Sequence, residues 1–197
     1  MNPYQASERI EKICRLAPVI PVLVVQNPET ARPLAEALIS GGLPVLEITL
    51  RTKSALQVIS EMAKVPGAVV GAGTITKSND IKDAINAGAS FAVSPGVTDT
   101  ILEESERHNL AIMPGAATPS EIMRLFELGY SVQKFFPAEA NGGRAALKAI
   151  AGPLPNVKFC PTGGITINNA KGYLELENTL CVGGSWVAPP HLIEDKD

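Results

Sequence analysis

Eight short runs of apolar and β-branched residues recur along the chain, at 19–25, 45–49, 68–72, 91–94, 110–113, 132–136, 157–160 and 180–182. Most are nearly continuous in hydrophobic character, the pattern of a strand buried on both faces. They end in Gly, Pro or Thr. Between them lie helical patterns at 30–40, 53–64, 79–87, 99–108, 119–128, 144–151 and 167–174, and a further helix is expected at about 3–16. Pro119 suits a first helical position with Thr118 as N-cap, Thr98 and Thr166 suit the same capping role, and Gly88 and Gly129 fall where helices should stop. Strands alternating with helices predict a parallel sheet covered by helices. Eight such units predict an α/β fold closed as a (β/α)₈ TIM barrel, for which about 200 residues is near the lower limit. A doubly wound open sheet is the competitor. The turn Gly71-Ala72-Gly73-Thr74 lacks the third glycine of a dinucleotide fingerprint, and no acidic residue ends the next strand, so the barrel is favoured.

No linker, low-complexity stretch or composition shift divides the 197 residues. One domain is expected over 1–197, with the barrel at about 19–187 and a short tail at 188–197. An apolar content of 45% suffices for a core without disulfides or metal. A net charge of −3 with dispersed Lys and Arg argues against nucleic acid or an anionic membrane surface as partner. The longest apolar run, 19–25, is too short to span a bilayer and contains Pro21. Glu8 and Glu11 precede it without a small-residue cleavage pattern, so no signal peptide is expected. Cys14, Cys160 and Cys181 are odd in number and widely spaced. They read as reduced, buried thiols of a cytoplasmic protein, and no spacing suggests a zinc site.

Within this frame one residue is out of place. Lys134 sits inside the strand-like segment Ser131-Val132-Gln133-Lys134-Phe135-Phe136, where alternation puts it on one face with Val132 and Phe136. Lysine is rarely buried unless paired or employed. Desolvation lowers the pKa of such an amine and makes it a nucleophile near neutral pH, whereas the plainer reading is a surface lysine on an edge strand. In a barrel the active site lies at the C-terminal strand ends. Those positions hold Glu47 and Arg51, Gly73 and Thr74, Pro95 and Gly96, Pro114 and Gly115, Lys134, Thr162 to Gly164, and Gly183 to Ser185, with nothing polar from the first strand. Two glycine pairs, Gly163-Gly164 and Gly183-Gly184, follow the seventh and eighth runs and suit a phosphate held by backbone N–H groups, although tight turns also favour glycine. Glu47, flanked by apolar residues, is a candidate proton carrier or a structural ion-pair partner of Lys134 or Arg51. Arg51 and Thr74 suit a carboxylate ligand. His108, His191 and the Glu103, Glu104 and Glu106 cluster read as surface groups, and Trp186 as packing behind the last strand.

The motifs 46–52 (LEITLRT), 70–74 (VGAGT), 93–96 (VSPG), 134–139 (KFFPAE), 159–165 (FCPTGGI) and 182–186 (VGGSW) occur in an order that resembles the 2-keto-3-deoxy-6-phosphogluconate (KDPG) aldolase family, which includes 4-hydroxy-2-oxoglutarate (KHG) aldolase activity. The resemblance spans about 19–187. It implies a class I aldolase, usually a homotrimer, acting on a phosphorylated keto acid without cofactor or metal. Lys134 would form the Schiff base and Glu47 would shuttle protons. Arg51 and Thr74 would hold the pyruvyl carboxylate, with Pro95 and Phe136 lining its pocket. Thr162 would bear on stereochemistry at C4, and Gly163, Gly164, Gly184 and Ser185 would cradle the phosphate. An iminium serves as the electron sink, so the lack of a His cluster fits. The family usually carries one more helix after the eighth strand, so a short or missing final helix is expected here. The galactonate epimer as substrate, and a non-catalytic phosphosugar-binding barrel, are the alternatives, since fold alone cannot assign activity.

Overall fold

The alternation read from the sequence is realised, with one strand more than the eight apolar runs suggest. The computed structural model describes residues 1–195. Strands β1 (Val19–Leu23), β2 (Val45–Thr49), β3 (Val69–Gly73), β4 (Phe91–Val93), β5 (Ala111–Met113), β6 (Gly115–Ala116), β7 (Val132–Phe135), β8 (Lys158–Pro161) and β9 (Val182–Gly184) pair only in parallel. They form a six-stranded sheet in the order β5-β4-β3-β2-β1-β9 and a three-stranded sheet β6-β7-β8. The fifth run gives β5 alone, and β6 follows it directly after Pro114, which lacks an N–H and interrupts the ladder. Its carbonyl still accepts the Lys134 N–H at 2.8 Å. A parallel bridge between Thr162 and Gly183 joins the end of β8 to β9.

Helices α1 (Pro3–Cys14), α2 (Ala31–Ser40), α3 (Ala55–Met62), α4 (Ser78–Ala87), α5 (Asp99–Arg107), α6 (Pro119–Glu127), α7 (Gly143–Ala151) and α8 (Ile167–Leu174) occupy the predicted stretches, with ends moved by a few residues. A six-residue helix α9 (Pro190–Asp195) stands where a tail was expected. Among the described residues, no helix is long and apolar enough to cross a membrane. The caps follow side-chain chemistry. Thr118 accepts from the Glu121 N–H, while the Glu121 carboxylate takes the N–H groups of Ala117 and Thr118 at 3.0 and 2.8 Å. Gly88 and Gly129 end their helices with φ of 96° and 102°, which a side chain would strain. Thr98 departs from expectation: its hydroxyl makes no cap bond and pairs with that of Thr100 instead.

The buried side chains form one continuous apolar cluster between strands and helices. Helix α1 packs against β5 and β7. There Ser7 donates to the Gly129 carbonyl at 3.1 Å and accepts from the Ser131 N–H at 3.0 Å. The three cysteines are free and buried, yet not dispersed. Hydrogen bonding to Cys14 and Cys160, then burial, pushes the Cys181 thiol well above its ordinary pKa, so it stays protonated. Glu104 is also unlike the solvated face predicted for it. It is buried and gathers Lys82, Arg107 and His108, and Lys82 foremost lowers its pKa. Glu106 accepts from the hydroxyl of buried Tyr130 at 3.2 Å.

The α6 cap yields a pH-dependent prediction. The Glu121 pKa is lowered chiefly by the Ala117 N–H and then by Thr118. Its contribution is therefore fully present above the unfolded carboxyl value, about 4.3, and is lost as pH falls through the lower folded value. Thr118→Ala is expected to cost about 1 kcal/mol at pH 7. Urea titrations of Glu121→Gln should show a stability deficit at pH 7 that shrinks as pH falls through the folded value; an equal deficit throughout contradicts the assignment.

Candidate active site

Lys134 and Glu47 lie inside strands of different sheets. In β7, alternation turns Gln133 outward, where its amide donates to the carbonyls of Ile122 and Tyr130, so Lys134 points to the opposite face. In β2, Glu47 stands between Leu46 and Ile48 in a strand buried along its whole length. Lys134 Nζ is 3.2 Å from Glu47 Oε1, with the two residues 5% and 1% exposed. The Lys134 Nζ also lies 5.3 Å from the centroid of the Phe136 ring. The plain edge-strand reading of Lys134 is thereby excluded. The pairing with Glu47, which the sequence left as an alternative to catalysis, is present.

Glycine makes room for this pair. A Cβ at Gly73 would fall 2.3 Å from Glu47 Oε1, and one at Gly115, beside Lys134 in the sheet, would fall 2.3 Å from the Pro95 backbone. Thr74, directly after Gly73, has φ of 63°. Left-handed backbone in a β-branched residue is strained and is characteristic of functional positions.

A cavity of about 580 Å³ opens at the C-terminal ends of β1, β2, β7, β8 and β9. Arg51, Phe136, Thr162, Gly163, Gly164, Gly184 and Ser185 line it, as do Val22, Val24, Pro137 and Glu139. Arg51 sits in the turn after β2. That turn is fastened by the hydroxyls of Thr52 and Ser54, which donate to the carbonyls of Val25 and Gln26 at 3.0 and 2.7 Å. Arg51 makes no ion pair among the described residues and so has its guanidinium available for an anion. Gly163 and Gly164 have φ of 100° and 78°, the conformation that lets a loop turn its N–H groups toward a ligand.

The second glycine pair is not a loop. Gly183 and Gly184 belong to β9 and pair with Ile20 and Pro21. Their smallness serves close packing, because Cβ atoms would lie 2.3 Å from Thr162 Oγ1 and 1.6 Å from the Trp186 ring. Trp186 accordingly covers Gly184 rather than merely backing the strand.

The structure does not bring every expected residue to one cavity. Pro95 lines a separate space of about 120 Å³ on the other side of Phe136, and Thr74 lines neither. Lys134 and Glu47 are buried and form no part of either wall. Glu139 and the apolar Val22 and Val24 are lining residues that the sequence did not single out. For Glu139 the available signal was its place at the end of the 134–139 motif. Among the described residues, no group of three or more His, Cys, Asp or Glu side chains is placed to hold a metal ion.

A buried lysine paired with a carboxylate, on parallel strands of an α/β fold, thus lies beside a glycine-lined cavity. The particular family follows from comparison: the model of the KDPG and KHG aldolases matches residues 10–197, and the chain belongs to that family. A 2-dehydro-3-deoxy-phosphogluconate aldolase of Pseudoalteromonas atlantica is 50% identical over 181 residues, 91% of this chain and 84% of the relative. Among solved structures, the Zymomonas mobilis 2-keto-3-deoxy-6-phosphogluconate aldolase with 3-phosphoglycerate is 49% identical, with a TM-score of 0.91 over 93% of this chain and 88% of that one. The KDPG aldolase of Legionella pneumophila, with pyruvate captured as a covalent carbinolamine, is 45% identical, with a TM-score of 0.92 over 94% and 91%.

The clearance at Gly73 can be tested directly. Gly73→Ala should displace the Glu47 carboxylate from Lys134 while leaving the fold, monitored by circular dichroism, in place. Misplacement on the order of 1 Å at reacting groups can cost about 10²-fold in rate. Borohydride-trappable imine formation at Lys134 is expected to slow to that extent; an unchanged rate would show that the carboxylate position does not matter.

Proposed function

We propose that the protein is a class I, Schiff-base aldolase that cleaves 2-keto-3-deoxy-6-phosphogluconate to pyruvate and glyceraldehyde 3-phosphate, the closing step of the Entner–Doudoroff route. Cleavage of 4-hydroxy-2-oxoglutarate to pyruvate and glyoxylate is a further activity of the same site. The observation that carries this reading is the buried Lys134–Glu47 contact of 3.2 Å in a member of this family.

The chemistry needs an amine freed of its proton beside a group that can take it, and Glu47 Oε1 is within reach. Lys134 Nζ adds to the C2 carbonyl of the keto acid to give a carbinolamine. Glu47 returns a proton to the carbinolamine hydroxyl, which leaves as water, and an iminium forms. Removal of the C4 hydroxyl proton by the Glu47 carboxylate breaks the C3–C4 bond. The electron pair passes to the iminium and gives an enamine, and the aldehyde departs. Protonation at C3 and hydrolysis by water release pyruvate and restore Lys134.

Arg51 and Thr74 hold the substrate carboxylate in this reading, Pro95 and Phe136 bound the pyruvyl pocket, and Thr162 bears on the configuration at C4. Gly163 and Gly164, with Gly184 and Ser185, receive the phosphate. The shared cavity wall supports these roles for Arg51, Phe136, Thr162 and the four phosphate residues. Cavity lining does not support them for Thr74 and Pro95, which rest on the family pattern.

The two sheets are read as one closed eight-stranded barrel within a single domain. This is supported by the continuity of β5 with β6 through Pro114 and by the Thr162–Gly183 bridge between β8 and β9. Homotrimeric assembly and a cytoplasmic location complete the proposal. The exposed apolar side chains of Met123, Phe126 and Leu128 at the end of α6 suit a surface that assembly would cover.

Reduction with borohydride in the presence of pyruvate, followed by peptide mass mapping, should place a pyruvyl adduct on Lys134. Lys134→Ala should abolish both adduct and turnover, and exhaustive chelation should leave turnover intact. An adduct elsewhere, or undiminished activity in Lys134→Ala, excludes the mechanism. Relative rates on the gluconate and galactonate epimers identify the substrate.

A further inference from the structure

Glu139 stands on the cavity wall beside Gly163 and Gly164, an unfavourable place for a carboxylate if its charge faced a bound phosphate. Its contacts suggest a different task. The 162–164 loop is held from two sides. From one, the N–H groups of Ala138 and Glu139 donate to the carbonyls of Thr162 and Gly163 at 2.8 and 3.1 Å. From the other, Asn169 on α8 donates from Nδ2 to the Gly164 carbonyl at 3.0 Å, while its Oδ1 accepts the Thr166 N–H at 2.7 Å. The two holders are tied together by one side-chain bond, in which the hydroxyl of fully buried Tyr173 on α8 donates to Glu139 Oε1. Glycine permits the passage. A Cβ at Gly164 would lie 2.7 Å from both Cβ and Cγ of Glu139, and one at Gly143 would lie 3.0 Å from the Tyr173 hydroxyl and 3.1 Å from Glu139 Oε1. Burial, then the bond to Glu139, raises the Tyr173 pKa, so the hydroxyl remains a donor.

We propose that Glu139 and Tyr173 are positioning residues. Their bond fixes the 162–164 loop in the shape that receives the phosphate end of the substrate, and so sets the preference for phosphorylated over unphosphorylated keto acids. The inference rests on the reading of that loop as the phosphate cradle. It makes a prediction opposite in sign to simple electrostatics, under which removing a carboxylate beside an anion site tightens anion binding. Loss of the brace instead loosens the loop and weakens binding.

The experiment is titration calorimetry of 3-phosphoglycerate at fixed ionic strength, with borohydride trapping of pyruvate at Lys134 measured in parallel. Tyr173→Phe keeps the buried ring, and Glu139→Ala removes the acceptor. Each is expected to raise Kd about tenfold, the scale of one hydrogen bond to a charged group. The double variant should be no weaker than the weaker single one, because both remove the same contact. Glu139→Gln, which keeps an acceptor oxygen, should recover most of the affinity, and pyruvate trapping should stay within about twofold throughout. Tighter or unchanged binding in Glu139→Ala, additive losses in the double variant, or a parallel fall in pyruvate trapping would overturn the proposal. So would failure of the unmodified protein to bind 3-phosphoglycerate. Absence of pyruvate trapping in the unmodified protein would count against the Schiff-base reading alone, since calorimetry still decides the brace.

Discussion

The contact between Lys134 and Glu47 joins residues 87 positions apart, on the middle strand of one sheet and on β2 of the other. Removing two opposite charges from water costs several kcal/mol per ion, and only close geometry with few competing neighbours offsets it. Much of the local architecture meets that requirement. Gly73 yields the volume that the Glu47 carboxylate fills, and Gly115 lets the end of β4 approach beside the lysine strand. Gln133, on the opposite face of β7, spends its amide on two backbone carbonyls and so leaves the inner face of the strand to Lys134. A structure that only needed stability would gain as much from apolar residues at 47 and 134. The retained charges are those the proposed chemistry needs, in which a proton leaves the amine before it adds to a carbonyl.

The contact realises a pairing that the sequence had left open, that of Glu47 with Lys134. Apolar surroundings alone would have left Lys134 with no acceptor for its proton. The structure supplies one at hydrogen-bonding distance and sets an aromatic ring 5.3 Å away. Phe136 also separates the large cavity from the smaller space at Pro95, so one side chain bounds the pair and both spaces.

What the sequence made legible was whatever a strand or helix period encodes. The alternation of Val132, Lys134 and Phe136 set the inward face of Lys134, and Thr118 with Pro119 marked a helix start. Contacts between distant segments were not encoded that way. The meeting of Cys14, Cys160 and Cys181, the burial of Glu104 within a run of acidic residues, and the left-handed backbone of Thr74 all depend on packing that no local pattern announces. The glycine pairs show the boundary most clearly. Composition alone could not distinguish Gly163-Gly164, where positive φ shapes a loop, from Gly183-Gly184, where extended strand residues make way for Thr162 and Trp186.

That distinction bears on how the two ends of the site are built. Lys134 and Glu47 rise from strand interiors, whose ladders fix them on both sides and permit little drift. The glycine loop at 163–164 has no such ladder, and glycine there increases the freedom that a ligand would have to remove. Binding an anion through backbone N–H groups requires that freedom to be restricted beforehand, or its cost appears as lost affinity. The bonds from Ala138 and Glu139 on one side and Asn169 on the other restrict the loop without adding a side chain to the space the anion would take. The segment that restrains the loop continues directly from the strand carrying Lys134. On the proposed reading, the position of the far end of the substrate is thus referred to the strand that carries Lys134.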